Sequence, residues 1–267
     1  MPDQTERGAS FRALHQKFRP LVVPNAYDAG TARLLTGLGF EALATTSSGL
    51  AFSLGRTDGV KAVSRSETID NARSICAATH LPVTADLESC FADDPEGIAG
   101  TIQLAAEAGL VGGSIEDATG DALSPIYDFA LAVERVHAAV EAARSLPFAF
   151  TLTARAENFL HGRPDLDDTL RRLQAFEKAG ADVLYAPLVP SDAIGLVVAS
   201  LTKPVNVLVS SGNADWTYDA LAALGVARIS IGGALARAAL SAVSQAAREI
   251  RTSGTFTYGK GLEPFPF

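Results

Sequence analysis

The stretch LPVTADLES, residues 81–89, and the shorter GGSIEDA, residues 112–118, are apolar runs that end in acidic residues. Side chains alternate between the two faces of a strand, so Asp86 and Glu88 are predicted to point the same way from one strand. Glu116 joins them from the next strand. Three converging carboxylates repel one another unless a cation lies between them, and all-oxygen ligands suit Mg²⁺ or Mn²⁺. The sequence therefore predicts a metal site at these residues.

Strand and helix patterns alternate along the whole chain. Apolar strands are predicted at residues 21–27, 41–49, 82–89, 110–118, 149–157, 181–187, 204–210 and 227–233. Helices are predicted at residues 10–17, and then at 28–40, 66–79, 95–108, 130–145, 169–179, 191–201, 218–224 and 234–250. Gly39, Gly109, Gly180 and Gly225 precede strands and are typical of helix C-caps. This rhythm predicts one (β/α)₈ TIM-type barrel domain over residues 1–267, with an N-terminal helix within 1–20 and a C-terminal tail at 251–267.

Composition and charge exclude several classes of protein. Hydrophobic residues make up 48% of the 267 positions, enough for a sizeable core, and the net charge is -8. An acidic chain without a basic stripe does not suit nucleic acid or anionic lipid. Cys76 and Cys90 are too few for a disulfide framework or a zinc cluster. We expect a cytoplasmic protein that binds neither nucleic acid nor membrane.

Six segments, in this order, resemble the isocitrate lyase/phosphoenolpyruvate mutase superfamily over nearly the whole chain. They are PNAYDAGTARLLTGLGFEALATTSSG (24–49), GRTDG (55–59), PVTADLE (82–88), IEDA (115–118), TARAENF (153–159) and PVNVL (204–208). The resemblance implies a magnesium-dependent barrel that makes or uses the enolate of a 2-oxo acid. It also implies subunits that exchange their last helix and assemble as a homo-oligomer, expected to be a tetramer.

The resemblance further implies roles for individual residues. Asp86 matches the direct metal ligand, while Glu88 and Glu116 reach the ion mainly through water. Asp58 matches the acidic residue of a mobile loop after the second strand, and Asp58, Arg155 and Glu116 form the implied catalytic set. The residues expected to bind a 2-oxo acid or dicarboxylate substrate are Tyr27, Ser48, Gly49, Arg155 and Asn206.

Each of these residues also has a purely structural interpretation. The three acids can pair with arginines of the barrel, and Arg155 can be a partner of Glu116 or Glu157. Asp58 stands in a GRTDG segment that is typical of a turn. Tyr27 fits the core as well as a pocket, and Asn206 can satisfy the backbone inside its strand.

The loop at residues 116–129, EDATGDALSPIYDF, departs from the superfamily pattern. It lacks the cysteine motif of the lyases and the lysine and asparagine of the phosphonopyruvate enzymes, so Tyr127 or Asp128 is left as a substitute acid. We therefore predict a Mg²⁺-dependent lyase or decarboxylase of a small 2-oxo or 2-hydroxy dicarboxylate, releasing a 2-oxo acid such as pyruvate. The alternatives are a phosphonopyruvate-type carbon–phosphorus hydrolase or mutase, and a non-catalytic 2-oxo acid binding protein.

Overall fold

The computed structural model describes residues 2–16, 19–210, 212–213 and 215–264. Eight strands form one parallel sheet in the order β1-β8-β7-β6-β5-β4-β3-β2. The strands are β1 Leu21–Val23, β2 Leu43–Ala44, β3 Val83–Asp86, β4 Gly112–Glu116, β5 Thr151–Arg155, β6 Val183–Tyr185, β7 Val205–Leu208 and β8 Arg228–Ser230. A parallel bridge between Asn25 and Ala44 joins the two ends of this order. The (β/α)₈ prediction is confirmed, with strands shorter than predicted.

Helices connect the strands and cover the barrel. They are α1 Gln4–Leu14, α2 Ala29–Gly37, α3 Ser47–Ser53, α4 Arg65–Ala77, α5 Pro95–Glu107, α6 Phe129–Ser145, α7 Leu166–Lys178, α8 Ile194–Ala199, α9 Tyr218–Ala223 and α10 Ala234–Ser253. The N-terminal helix was predicted to reach Lys17, which lies outside the described residues. None of these helices is both long and apolar enough to cross a bilayer within the described part of the chain.

Local sequence explains where most helices begin and end. The Asp28 carboxylate accepts a hydrogen bond from the Thr31 backbone N–H at 2.7 Å, so α2 begins with a side-chain cap. The four glycines predicted to end helices all have positive φ, from 79° at Gly225 to 104° at Gly180. A residue without a Cβ adopts this conformation at no steric cost. These glycines therefore reverse the chain toward the next strand.

Helix α3 was not predicted, because its residues were assigned to the end of the second strand and to a loop. The strand ends at Ala44, and the Thr46 hydroxyl then accepts a hydrogen bond from the Gly49 backbone N–H at 3.3 Å. Hydroxyl residues favour such caps, and the cap turns the segment into a helix. Ser48 is thereby carried on the first turn of a helix and not on a strand.

Asn25 closes the barrel between its first and last strands. Its Oδ1 accepts the backbone N–H groups of Ile231 at 2.9 Å and Gly232 at 2.8 Å. Its Nδ2 donates to the Thr45 carbonyl at 2.7 Å. One buried side chain thus links the end of β8 to the segment after β2, beside the single Asn25–Ala44 bridge that joins the two ends of the sheet.

Candidate active site

A cavity of about 380 Å³ opens at the C-terminal ends of the strands. This is the end at which TIM-type barrels carry their functional groups, and the volume suits a small ligand. Four of the predicted site residues line it, namely Ser48, Asp58, Asp86 and Arg155. The others, which lie beside or beneath the cavity wall, are Tyr27, Gly49, Glu88, Glu116 and Asn206.

Arg155 is the centre of an ion-pair cluster at the end of β5. Its Nη1 lies 2.9 Å from Asp86 Oδ1, its Nη2 3.0 Å from Glu116 Oε2 and its Nε 2.8 Å from Glu157 Oε1. The side chain is 11% exposed. Each nitrogen group of the guanidinium therefore has an acidic partner, as the structural interpretation of this residue anticipated.

Asp86 is the last residue of β3 and is held from several sides. Ser47 donates its backbone N–H to Oδ2 at 3.3 Å, and Ser114 donates its hydroxyl to Oδ1 at 3.4 Å. Burial acts to raise the pKa of Asp86, but Arg155 and the donors from Ser47 and Glu88 outweigh it and lower the pKa. Asp86 is thus an ionised carboxylate facing the cavity.

Glu88 does not lie on a strand, so the prediction that strand alternation aligns it with Asp86 is wrong. Strand β3 ends at Asp86, and Glu88 has a left-handed φ of 49°. The turn nevertheless keeps the two acids close. Burial, followed by the charges of Asp86 and Asp58, raises the pKa of Glu88 to about 7. Glu88 is therefore close enough to Asp86 and Asp58 to feel their charges, with Arg155 as the neighbouring cation.

A buried arginine on α6 holds the turn that follows Glu88. Arg135 donates to the backbone carbonyls of Ser89 at 2.7 Å, Ala92 at 2.6 Å and Asp93 at 3.0 Å. Cys90 and Phe91 in this turn also have positive φ. Because non-glycine residues rarely adopt this conformation, we attribute its retention to the three hydrogen bonds from Arg135.

Asp58 reaches the cavity from the loop between α3 and α4. Burial is the main cause of a raised pKa at this carboxyl, and the charge of Asp86 adds to it. A raised pKa means that this carboxyl group keeps its proton to a higher pH than an ordinary aspartic acid does. Asp58 is therefore a protonable group beside the ionised Asp86.

Tyr127 and Asp128, the substitute acids suggested by the sequence, do not line the cavity. The Tyr127 hydroxyl donates to Asp93, and its ring lies 4.1 Å from the Arg135 guanidinium carbon. Burial raises the pKa of Tyr127 to about 12, with the bond to Asp93 as the second cause. The tyrosine among the residues that line the cavity is Tyr185, on β6.

Asp117 supports the site from behind. Its Oδ1 accepts the Glu157 backbone N–H at 2.8 Å, and its Oδ2 lies 2.9 Å from Nη1 of Arg172 on α7. Burial raises the pKa of Asp117 to about 6. Asp117 directly follows Glu116, the last residue of β4. This buried pair holds the end of β4 against that of β5.

The rim beside α3 is packed too closely for larger side chains. A Cβ on Gly49 would lie 2.8 Å from the Tyr27 Cβ, and one on Gly233 would lie 2.3 Å from Ser48 Oγ. The turn at residues 232–234 therefore provides room for Ser48. Tyr27 packs against this helix and does not line the cavity.

The cavity floor contains a buried polar layer that sequence reasoning missed. Arg228, the first residue of β8, donates from Nε to Asn206 Oδ1 at 2.8 Å and from Nη1 to Thr153 Oγ1 at 3.1 Å. The Asn206 amide in turn donates to Ser230 Oγ at 2.9 Å. The signal was an arginine inside ARISIGG, because a charge in a buried strand needs a partner or a purpose.

The donor set fits a hard cation in type. Asp86, Glu88 and Glu116 supply only carboxylate oxygens, the ligands that Mg²⁺ and Mn²⁺ prefer. Their negative charge exceeds what Arg155 alone offsets, and like-charge repulsion contributes to the raised pKa values of Glu88 and Glu116. Among the described residues no three acidic, histidine or cysteine side chains are placed to ligate one ion together. Direct ligation by Asp86, with water between the ion and the glutamates, agrees with both facts.

Known proteins match this chain in sequence and in fold. A family model described as phosphoenolpyruvate phosphomutase matches residues 11–251. A crystal structure from Burkholderia cenocepacia J2315, provisionally assigned as a lyase/mutase, is 55% identical with a TM-score of 0.95, over 98% of this chain and 93% of that one. The family match includes every strand of the barrel and each predicted site residue.

Two curated relatives extend the comparison. A Mycobacterium tuberculosis protein without a stated activity is 33% identical over 243 residues, 90% of this chain and 88% of that protein. An oxaloacetate decarboxylase of Pseudomonas aeruginosa is 29% identical over 252 residues, 92% of this chain and 86% of that protein. Both alignments are nearly full length on each side.

Proposed function

Because the chain belongs to the phosphoenolpyruvate phosphomutase family, we propose that it is a Mg²⁺-dependent carbon–carbon lyase or decarboxylase. Its substrate class is a small 2-oxo or 2-hydroxy dicarboxylate, and its product is a 2-oxo acid such as pyruvate. The observation that carries the proposal is the ion pair of Asp86 and Arg155 on the wall of one ligand-sized cavity. The relative with oxaloacetate decarboxylase activity supports the same substrate class.

The residues of the chain divide the work in this proposal. Asp86, with Glu88 and Glu116, would hold the metal, which supplies electrophilic stabilisation to a developing enolate oxygen. Arg155 and the Ser48 hydroxyl orient the carboxylate next to the reacting carbon. The Asp58 loop covers the cavity and reduces its contact with water. Asp58 and Tyr185 are the protonable groups on the cavity wall that can return a proton to the product carbon.

The absence of lysine and cysteine in the loop after β4 favours a reaction with modest demands on a protein acid. Decarboxylation releases a neutral gas and leaves one carbanion equivalent to protonate. Cleavage of a carbon–carbon bond in a 2-hydroxy acid additionally needs a base for the hydroxyl proton. We therefore rank decarboxylation of a 2-oxo dicarboxylate first within the lyase class.

A release assay tests the proposal. Purified protein is incubated with oxaloacetate, alkyl-substituted malates and citrates, and phosphonopyruvate, with Mg²⁺ or with EDTA, and pyruvate and carbon dioxide are measured. The spontaneous decay of oxaloacetate is subtracted. Turnover that disappears with EDTA and in Asp86→Ala, but not in the exposed control Asp70→Ala, is the expected result.

Carbon–phosphorus chemistry is the second candidate, favoured by the description of the matched family. Phosphate or phosphoenolpyruvate formed from phosphonopyruvate would identify it. Tight, metal-dependent binding of oxalate without turnover of any compound would instead identify a binding protein.

A further inference from the structure

Arg228 is a buried cation without an acidic partner. It is 6% exposed, and no carboxylate lies within ion-pair distance of it among residues 2–16, 19–210, 212–213 and 215–264. Both of its hydrogen bonds go to neutral oxygens, those of Asn206 and Thr153. Burial lowers the pKa of Arg228 to about 10, and the charge of Arg155 adds to this effect. An unpaired buried charge is costly to folding, so its presence calls for a ligand.

The position of Arg228 identifies where that ligand lies. Thr153 stands two residues before Arg155 on β5, so both side chains point into the barrel and the Arg228 guanidinium lies one layer below that of Arg155. Arg228 also lines the cavity that contains Asp86 and Arg155. Its two neutral bonds use Nε and Nη1, and none of the described residues accepts a hydrogen bond from Nη2, which leaves Nη2 for a ligand. The cavity therefore has a cationic floor beneath its acidic wall.

The other arginines of the cavity are less available. Arg155 is engaged by three carboxylates. Arg237 lies at the start of α10 with its guanidinium carbon 5.0 Å from the centre of the Phe52 ring, near the cavity mouth, and is exposed. An exposed arginine is hydrated by solvent, whereas Arg228 is desolvated before any ligand arrives. An anion therefore gains more binding free energy at Arg228 than at Arg237.

We propose that Arg228 binds the second carboxylate of a dicarboxylate ligand, whose 2-oxo or 2-hydroxy acid end lies at Asp86 and Arg155. This inference rests on the proposed function and extends it, because it assigns the dicarboxylate preference to one side chain. A ligand with a single carboxylate leaves the floor cation unpaired. A two-carbon diacid such as oxalate is too short to reach both levels.

The first test needs no variant. Binding of malate, its 4-methyl ester and oxalate to the wild-type protein is measured by calorimetry with Mg²⁺ present. Malate is expected to bind about tenfold or more tightly than the ester, because a charge-assisted hydrogen bond is lost with esterification. Equal affinity for malate and its ester, or binding of oxalate without any binding of malate, overturns the proposal.

The second test locates the effect. Arg228→Gln is expected to lower the affinity for malate about tenfold or more and to change the affinities for oxalate and for the ester by less than about threefold. Arg228→Lys, which keeps the charge, is expected to retain part of the preference for malate. A loss of affinity for all three ligands, or a malate effect in Arg237→Gln and not in Arg228→Gln, overturns the assignment.

These readouts separate the inference from the proposed function. If the protein turns over no compound but prefers malate to its ester through Arg228, the proposed reaction is wrong and the floor site stands. If Arg228→Gln decarboxylates oxaloacetate as well as the wild type does, with unchanged KM, the proposed reaction stands and the floor site is wrong.

Discussion

The Nη1 atom of Arg155 lies 2.9 Å from Oδ1 of Asp86, so a predicted substrate-binding cation contacts a predicted metal ligand directly. Glu116 and Glu157 share the same guanidinium. The arginine thus provides the positive charge that lets three buried carboxylates coexist. A divalent ion at Asp86 would take over part of that role and release some of the guanidinium for a substrate carboxylate.

Replacement of Arg155 tests this electrostatic role. Arg155→Met leaves three buried acids without their cation, so we expect the free energy of unfolding to fall by about 3 to 5 kcal/mol. Mg²⁺ is expected to restore part of the loss, because the ion offsets the same charge. Thermal and urea unfolding with Mg²⁺ or EDTA measure both effects.

The exposed Arg171 on α7 is the matched control, since it pairs with Asp168 at 61% side-chain exposure. Arg171→Met is expected to cost no more than about 1 kcal/mol. A loss in Arg155→Met as small as in this control would refute the charge-compensation argument.

Asp58 is expected to act in the chemical step. Asp58→Asn keeps the size of the side chain but removes the ionisable carboxyl group, so kcat is expected to fall about 100-fold to 10,000-fold. Oxalate affinity is expected to change little. Asp70→Asn on α4, where the side chain is 76% exposed, serves as the control. Unchanged kcat in Asp58→Asn would remove this residue from the reaction.

Gly233 is expected to be required for the position of Ser48. A Cβ there would lie 2.3 Å from Ser48 Oγ. Gly233→Ala is therefore expected to destabilise the protein by about 1 to 3 kcal/mol and to weaken the binding of oxalate. At Gly37, in α2, a Cβ meets nothing within 4 Å, and Gly37→Ala is expected to stabilise by up to about 1 kcal/mol. Similar stability of the two variants would contradict the packing argument.

His15 predicts a pH dependence of stability. Burial, with a smaller contribution from the charge of Arg228, lowers its pKa from 6.5 to about 4. Between these values the unfolded chain binds the proton and the folded protein does not, so stability falls as pH falls from 6.5 toward 4. The full difference is about 3 kcal/mol.

The difference between wild type and His15→Gln isolates this contribution from that of the other acids. Urea unfolding at a series of pH values is expected to show the wild type losing its advantage over His15→Gln across that window. His137→Gln, at a side chain 58% exposed, is expected to follow the wild type. A parallel profile for His15→Gln would show that His15 titrates normally.

The oligomeric state remains a prediction from the resemblance, and α10 offers a way to test it. Along this helix Leu240, Val243 and Ile250 are 50%, 64% and 40% exposed, and their spacing places them along one stripe. We propose that a second subunit covers them. Light scattering after gel filtration is expected to show an oligomer, with a tetramer as the predicted size. Val243→Glu is expected to dissociate this oligomer, and Gln245→Glu is expected to leave it intact. A monomeric wild type at micromolar concentration would contradict the proposal.

The barrel was predictable because its signals are local and repeated. Asp86 and Glu116 are the last residues of two strands, and glycines such as Gly180 follow four of the helices that precede strands. Apolar strand runs alternate with helix patterns along the whole chain, so small boundary errors did not alter the topology. Helix α3 was not predicted, because the sequence around Thr46, Ser48 and Gly49 taken alone fits a strand end, a helix cap and a loop equally well. Only the short β2 strand reveals that the hydroxyl of Thr46 is used as a cap.

The site was predictable in its acids and less so in its cations. Asp86 and Glu116 end strands, and Arg155 ends another, so parallel register brings them together. Glu88 lies near them through a left-handed turn, which side-chain periodicity cannot foresee. The burial of Arg228 without an acid depends on what faces it across the barrel, and that information is not local.

The hydrogen bonds of Asn25 have a consequence for biosynthesis. Its partner Ile231 is 206 positions further along the chain. At about 5 to 20 residues per second, a ribosome needs about 10 to 40 s to make that distance. During this interval the nascent chain exposes the edge of β1 that later pairs with β8, and a chaperone that shields this edge would raise the yield of folded protein without affecting its final stability.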